Sequence, residues 1–427
     1  MTVARPSFVL RARQIVTMAA EALGQAEALG QAEALGQARH LENGWLRIER
    51  GRIAALGVGP PPAPAIDLGD TVILPGLVNA HTHLEFSGLD SPLDGTGGLP
   101  EWIGRVVALR RGRPTADAAA AIRAGLAESA AAGVTLLGDI ATAVPPDGSD
   151  SLGPRVRVFR EALGLSAVAR ITSLATLRQD LDRLVGSSRS SGVSPHAPYS
   201  VAAPLGHAAL DVARRLRLPA AMHLAESPAE AELIATGSGP LRTVLERLGA
   251  WPEKPPPLLS AADWISRLAR GPRGLAVHGT FLDDVALSRL ARHRDRLALV
   301  ICPRTTRLLS GTLPPLARVR STGVRIAIGT DSRASNPDLS VLGECRALVD
   351  GGLASPAEAL AMATSAGAWA LGFEHRAGIL APGRPADLLV LRPRHPALDP
   401  YEAALDPAAV VVATLRAGTV IHGALTG

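Results

Sequence analysis

The chain has 427 residues, 47% of them hydrophobic and 19% charged, and its 44 basic side chains outnumber its 39 acidic ones for a formal net charge of +5. That length predicts a catalytic domain of about 250 to 300 residues with a smaller companion, because single cores rarely grow further. No apolar run approaches the roughly 20 residues that span a bilayer, and the arginines lie scattered among acids and apolar residues, so membrane insertion and nucleic-acid binding are both disfavoured.

The start, Met-Thr-Val-Ala-Arg-Pro-Ser-Phe-Val-Leu, lacks the basic and then apolar pattern of a secretion signal, and the expected location is cytoplasmic. The first 70 residues alternate short apolar runs with Gly and Pro, as in Trp45 to Ile48 and Arg52 to Gly57, which predicts small antiparallel strands. Within them, residues 20–37 repeat Ala-Glu-Ala-Leu-Gly-Gln three times almost perfectly, a low-complexity insertion expected at the surface.

From Thr71 onward, β-rich runs alternate with Ala/Leu/Arg stretches of helical length. Strands are predicted near 72–79, 134–139, 156–161, 191–195, 219–223, 274–278, 297–302 and 324–330. Eight such units predict an α/β fold, a (β/α)8 TIM-like barrel over residues 71–375 with its active site at the strand C-termini. Short strands return after Leu371, at Asp387 to Leu391, Ala409 to Leu415 and Gly418 to Ile421, so residues 1–70 and 376–427 are expected to form one composite β-domain.

Chemistry-bearing residues gather at the predicted strand ends. In Leu74-Pro-Gly-Leu-Val-Asn-Ala-His81-Thr-His83 two histidines lie two apart, and strand side chains two apart share a face. Paired neutral imidazoles suit a divalent metal. His223 ends Pro219-Ala-Ala-Met-His223, His278 ends Gly274-Leu-Ala-Val-His278, and Asp331 ends the run from Val324. Any one of these fits a hydrogen-bonded structural residue; five in strand order point to a metal-centred site at the barrel mouth. Cys302 and Cys345 are too few for a thiolate cage.

The pieces PGLVNAHTH, SPHAPYS, HLAE, VHG, CPRT and GTDSRASN, in this order, resemble the amidohydrolase superfamily over roughly residues 50–400. The resemblance implies that His81, His83, His223 and Asp331 hold a metal, that Glu226 and His278 transfer protons, and that both chain ends build a β-sandwich. Superfamily members with two metals usually bridge them with a carboxylated lysine. The sole lysine here, Lys254, lies in a proline-rich segment, so one divalent ion, zinc or ferrous iron, is expected.

The spacing His223-Leu-Ala-Glu226 lets a carboxylate turn back over that site. A hydrolytic deaminase needs such a group to protonate the ring nitrogen beside the attacked carbon, while the metal activates water oriented by His278 and Asp331. Glu226 equally suits the first turn of a following helix.

His83-Leu-Glu85-Phe-Ser87, Leu99-Pro-Glu-Trp102-Ile and Ser194-Pro-His196-Ala-Pro-Tyr-Ser resemble aminodeoxyfutalosine deaminases of the alternative menaquinone route, and adenosine and S-adenosylhomocysteine deaminases. That likeness implies a 6-aminopurine nucleoside substrate and a pocket lined by Glu85, Trp102 and His196. Arg110, Arg111, Arg160 and Arg304 are alternatives for a substrate carboxylate. Guanine, cytosine or triazine hydrolysis and a non-catalytic metal scaffold are the competing readings. The expected partner is a small-molecule substrate, with no nucleic acid or membrane, and a homodimer is the assembly to test.

Overall fold

The computed structural model describes residues 7–19, 40–112, 115–143, 153–184, 189–396 and 398–425; the repeat at 20–37 lies outside the described residues. The first strands are β1 (Phe8–Val16), β2 (His40–Glu49), β3 (Arg52–Val58), β4 (Ala65–Asp67) and β5 (Val72–Pro75). Then come β6 (Leu77–Thr82), β7 (Val134–Ala141), β8 (Arg155–Ala162), β9 (Ser190–Pro195), β10 (Ala220–Leu224), β11 (Gly274–His278), β12 (Leu297–Ile301) and β13 (Arg325–Ile328). The last are β14 (Leu388–Arg392), β15 (Val410–Arg416) and β16 (Thr419–Gly423).

Strands β6 to β13 pair in sequence order, all parallel, with helices between most of them. The circuit closes where Thr82 bridges Asp331: the Asp331 N–H donates to the His81 carbonyl and the His83 N–H to the Asp331 carbonyl, each at 3.1 Å. This is the expected (β/α)8 architecture. The other eight strands form a separate sheet from the two chain ends, in the order β16-β15-β14-β5-β1-β2-β3 with β4 on β1.

Strand periodicity divides the apolar residues between layers. Ala221, Leu275, Val277, Ala298, Val300 and Ala327 face inward and are closed at the strand N-termini by Leu371 and Phe373. Met222, Leu224, Ala276, Leu299 and Ile301 face outward onto helices that contribute Leu177, Leu205, Trp264 and Leu290. Burying each such side chain contributes about 1.5–3 kcal/mol. In the end sheet, Leu74, Leu389 and Leu391 pack towards the barrel while Ile73, Leu388 and Val390 fill the sheet's own core. These strands are buried on both faces and so read as continuous apolar runs.

The run predicted as one strand over 72–79 is two. It breaks at Gly76, whose N–H donates to the Asp387 carbonyl at 2.9 Å, and where an added Cβ would lie 2.2 Å from the Thr135 side chain. The chain passes from the end sheet into the barrel at this glycine. No helix among the described residues is long and apolar enough to cross a membrane.

Candidate active site

The five strand-end residues converge. His81 Nε2 lies 3.4 Å and His83 Nε2 3.5 Å from Asp331 Oδ1, and His83 Nε2 faces His223 Nε2 at 3.3 Å. Ring nitrogens of His81, His223 and His278 lie within 4.8 Å of one another, and so do the donor atoms of His81, His83 and Asp331. Glu226 lies beside them, its Oε1 3.6 Å from His278 Nε2.

Local backbone features aim these side chains. Val78 and Ala80 face the barrel interior, so strict alternation would turn His81 outward. The register with β7 slips by one residue between Asn79 and Thr82, and this bulge brings His81 inward together with His83. His278 follows inward-facing Val277 and lies in the left-handed region at φ 67°; Asp331 does so at φ 56°. Such conformations in non-glycine residues persist where the surroundings hold them, and they concentrate at functional sites.

Hydrogen bonds behind the cluster fix its orientation. His223 Nδ1 lies 2.9 Å from the His196 carbonyl, which makes Nδ1 the donor and leaves Nε2 free towards the centre. The Ser335 hydroxyl donates to Asp331 Oδ2 at 2.6 Å. Asp139 accepts the Leu84 N–H at 2.9 Å and pins the turn after His83. Glu230 accepts the N–H groups of Ala225 and Glu226 at 2.9 and 3.0 Å and holds the turn that presents Glu226.

Burial holds the imidazoles of His83, His223 and His278 well below their ordinary value, in the neutral form that ligates metals. Burial also opposes the Asp331 carboxylate, but the adjoining His81 outweighs it and keeps Asp331 below the usual range. Glu226 is pushed the other way, well up, by burial and by neighbouring Asp331.

The donor set fits a divalent cation: both nitrogens of buried His81 lack a hydrogen-bond partner, two Nε2 atoms oppose each other, and one carboxylate is held ionised. His81, His83, His223 and Asp331 could hold one, with His278 also within reach.

A cavity of about 220 Å³ opens above the cluster, lined by His83, His196, His223, Glu226, His278 and Asp331 at its base and by apolar groups including Trp102, Val106, Leu163 and Leu248 higher up. Trp102 and His196 therefore stand on its wall. Glu85 stands behind it, bonded at 2.6 Å to Arg110, which lines the cavity with Arg111. Arg160 instead pairs with buried Asp180 and Arg304 with Glu344.

Sequence reading alone passes over Asp139, Glu161, Glu230 and Ser335. Asp139 and Glu161 both lie near the ends of predicted strands, the same signal that singled out His223.

A sequence profile of the Amidohydrolase family matches residues 72–427. A 5-methylthioadenosine/S-adenosylhomocysteine deaminase of Syntrophobacter fumaroxidans is 31% identical over 91% of this chain and 88% of its own. The Helicobacter pylori aminofutalosine deaminase, solved with methylthio-coformycin, shares the fold at TM-score 0.81 and 24% identity, covering 97% of this chain and 99% of that one. An adenosine deaminase from Xanthomonas campestris with bound zinc shares it at TM-score 0.72 and 23% identity, over 97% and 92%. Matched by the family profile through its barrel and by a relative along nearly its whole length, this chain is an enzyme of the amidohydrolase family.

Proposed function

We propose that the protein is a metal-dependent hydrolytic deaminase releasing ammonia from the 6-amino group of a purine nucleoside. The observation that carries the reading is the Glu226–His278 pair, 3.6 Å apart at the base of a cavity and beside a donor set that fits one divalent cation. A metal-binding scaffold has no need of a buried carboxyl held above its ordinary range at that position.

His81, His83, His223 and Asp331 would hold the ion, which when bound supplies Lewis acidity that brings the pKa of water towards neutrality. His278 and Asp331 orient the attacking water on the cavity side of the cluster. His278 and Asp331 take a proton from that water as its oxygen bonds to the ring carbon, while Glu226, protonated in its buried setting, delivers one to the adjacent ring nitrogen. The new hydroxyl then returns a proton to Glu226, the proton taken from water passes to the amino group, and the carbon–nitrogen bond breaks to release ammonia. Trp102 offers an aromatic face and His196 a ring nitrogen to the substrate.

Within this class aminodeoxyfutalosine is the leading substrate, supported by the motifs around Glu85, Trp102 and His196, with a place in menaquinone formation. A second reading, 5′-thioether nucleosides, is favoured by the relative 31% identical to this chain, named for 5-methylthioadenosine and S-adenosylhomocysteine. Ammonia release from aminodeoxyfutalosine, 5-methylthioadenosine, S-adenosylhomocysteine, adenosine, guanine and cytosine tests both. Turnover of guanine or cytosine alone overturns the 6-aminopurine assignment.

A further inference from the structure

Glu161 is the last residue but one of β8, facing the barrel interior like Phe159 two residues before it, while Val158 and Ala162 pack outward. Its side chain is 2% exposed, and neither carboxylate oxygen has a hydrogen-bond partner. Three side chains act on its charge: Arg110, bonded to Glu85 at 2.6 Å, Arg160, bonded to Asp180 at 2.7 Å, and His81, which belongs to the metal-compatible cluster. A buried carboxyl left without a donor calls for a reason. Glu161 belongs to neither metal-compatible group found among the described residues, and the proton transfers above make no use of it.

What it faces is His196. The Nε2 of that ring lies 3.9 Å from Glu161 Oε1, while Nδ1 lies 2.5 Å from Ser200 Oγ, which also reaches the Ala197 carbonyl at 3.2 Å. His196 is on the cavity wall. A neutral imidazole has one proton for two nitrogens, and the groups flanking it decide which nitrogen donates and which accepts. Ser200 flanks one nitrogen of this ring and Glu161 the other.

We propose that Glu161 is a positioning residue that, opposite Ser200, fixes the plane and tautomer of His196, so that a defined ring nitrogen meets the substrate. The proposal rests on the deaminase reading for its substrate but not for its geometry. Glu161 acts through His196, so its removal should weaken ground-state recognition more than the chemical step.

The test compares the metal-loaded wild type with Glu161→Leu, Glu161→Gln and Ser200→Ala. It reads KM and kcat on the best purine nucleoside, metal content, and the 15N ring shifts of His196, assigned by their absence from His196→Gln. The wild type should show one tautomer. Glu161→Leu should show a mixture, with KM raised about 10-fold or more, kcat nearly unchanged and metal retained, as expected for lost uniform binding. Glu161→Gln should restore most of the KM. Ser200→Ala, which removes the flank on the other side, should also mix the tautomers, and it decides the matter if the leucine variant fails to fold. An unchanged tautomer and KM in the folded variants overturn the proposal, and so does metal loss in Glu161→Leu. If the wild type deaminates no purine nucleoside, the functional reading fails, and the tautomer spectra still judge the role of Glu161.

Discussion

At the residue scale, the division of labour between His223 and Glu226 makes the sharpest prediction. Glu226→Gln keeps the shape of the side chain but removes its proton, so turnover should fall by at least about 100-fold while metal content persists. His223→Ala removes a donor from the cluster, so metal and activity should fall together. Elemental analysis beside an ammonia assay distinguishes the two, and near-normal turnover of Glu226→Gln would remove the proton shuttle. Asp139 carries a different signal. Burial lifts its carboxyl from 3.8 to about 8, so the folded state holds a proton that the unfolded chain releases. The sign follows from linkage: the folded form binds more protons between those two values, so this group's contribution to stability is full below about pH 4 and declines as pH rises to about 8. Asp139→Asn keeps an acceptor for the Leu84 N–H, and should flatten that part of the stability profile in denaturant titrations across this range.

At the element scale, how much could be read in the sequence depended on what sets each feature. Seven barrel strands lie within two or three residues of their predicted ranges, because buried parallel strands announce themselves as apolar runs. The polar residues ending three of them, His223, His278 and Asp331, were legible for the same reason. The break at Gly76 was not, since only contact with Thr135 and Asp387, both distant in sequence, requires it. Nor was the bulge that turns His81 inward, which is a matter of register with β7. Glu161 and Asp139 escaped because a strand-end acid carries little meaning until its neighbours are known. Gly329 shows how closely β13 and β6 meet: a Cβ there would lie 2.7 Å from His81 Cβ and 2.7 Å from the His81 carbonyl oxygen. Gly329→Ala should therefore displace His81 and weaken metal retention by roughly 10–100-fold, the range seen when a ligand's support is lost. Competition with a chelator measures this, and unaltered retention would mean that His81 contributes little to holding the ion.

At the scale of the whole molecule, the repeat at 20–37 falls between β1 and β2, which pair antiparallel from Phe8–Ile48 to Val16–His40. Between two strands that already pair, a change in the length of the connection costs little, only about 0.6 kcal/mol for each doubling. Deleting two of its three hexapeptides should leave turnover and melting temperature nearly unchanged; loss of soluble protein would show that the segment packs or assembles. The end sheet has a consequence in time as well as in space. β5 lies between β1 and β14, with Pro75 opposite Leu388, so one flank of this apolar strand has its partner only after the barrel has been synthesised. At ribosomal rates of about 5–20 residues per second, that interval is on the order of tens of seconds. For that period the nascent chain presents an unpaired hydrophobic edge, Val72 to Pro75, directly before the strand that carries His81, and such an edge invites pairing with other chains. The last strands of this protein thus act as a late clasp, closing that edge only once the barrel between them has been made.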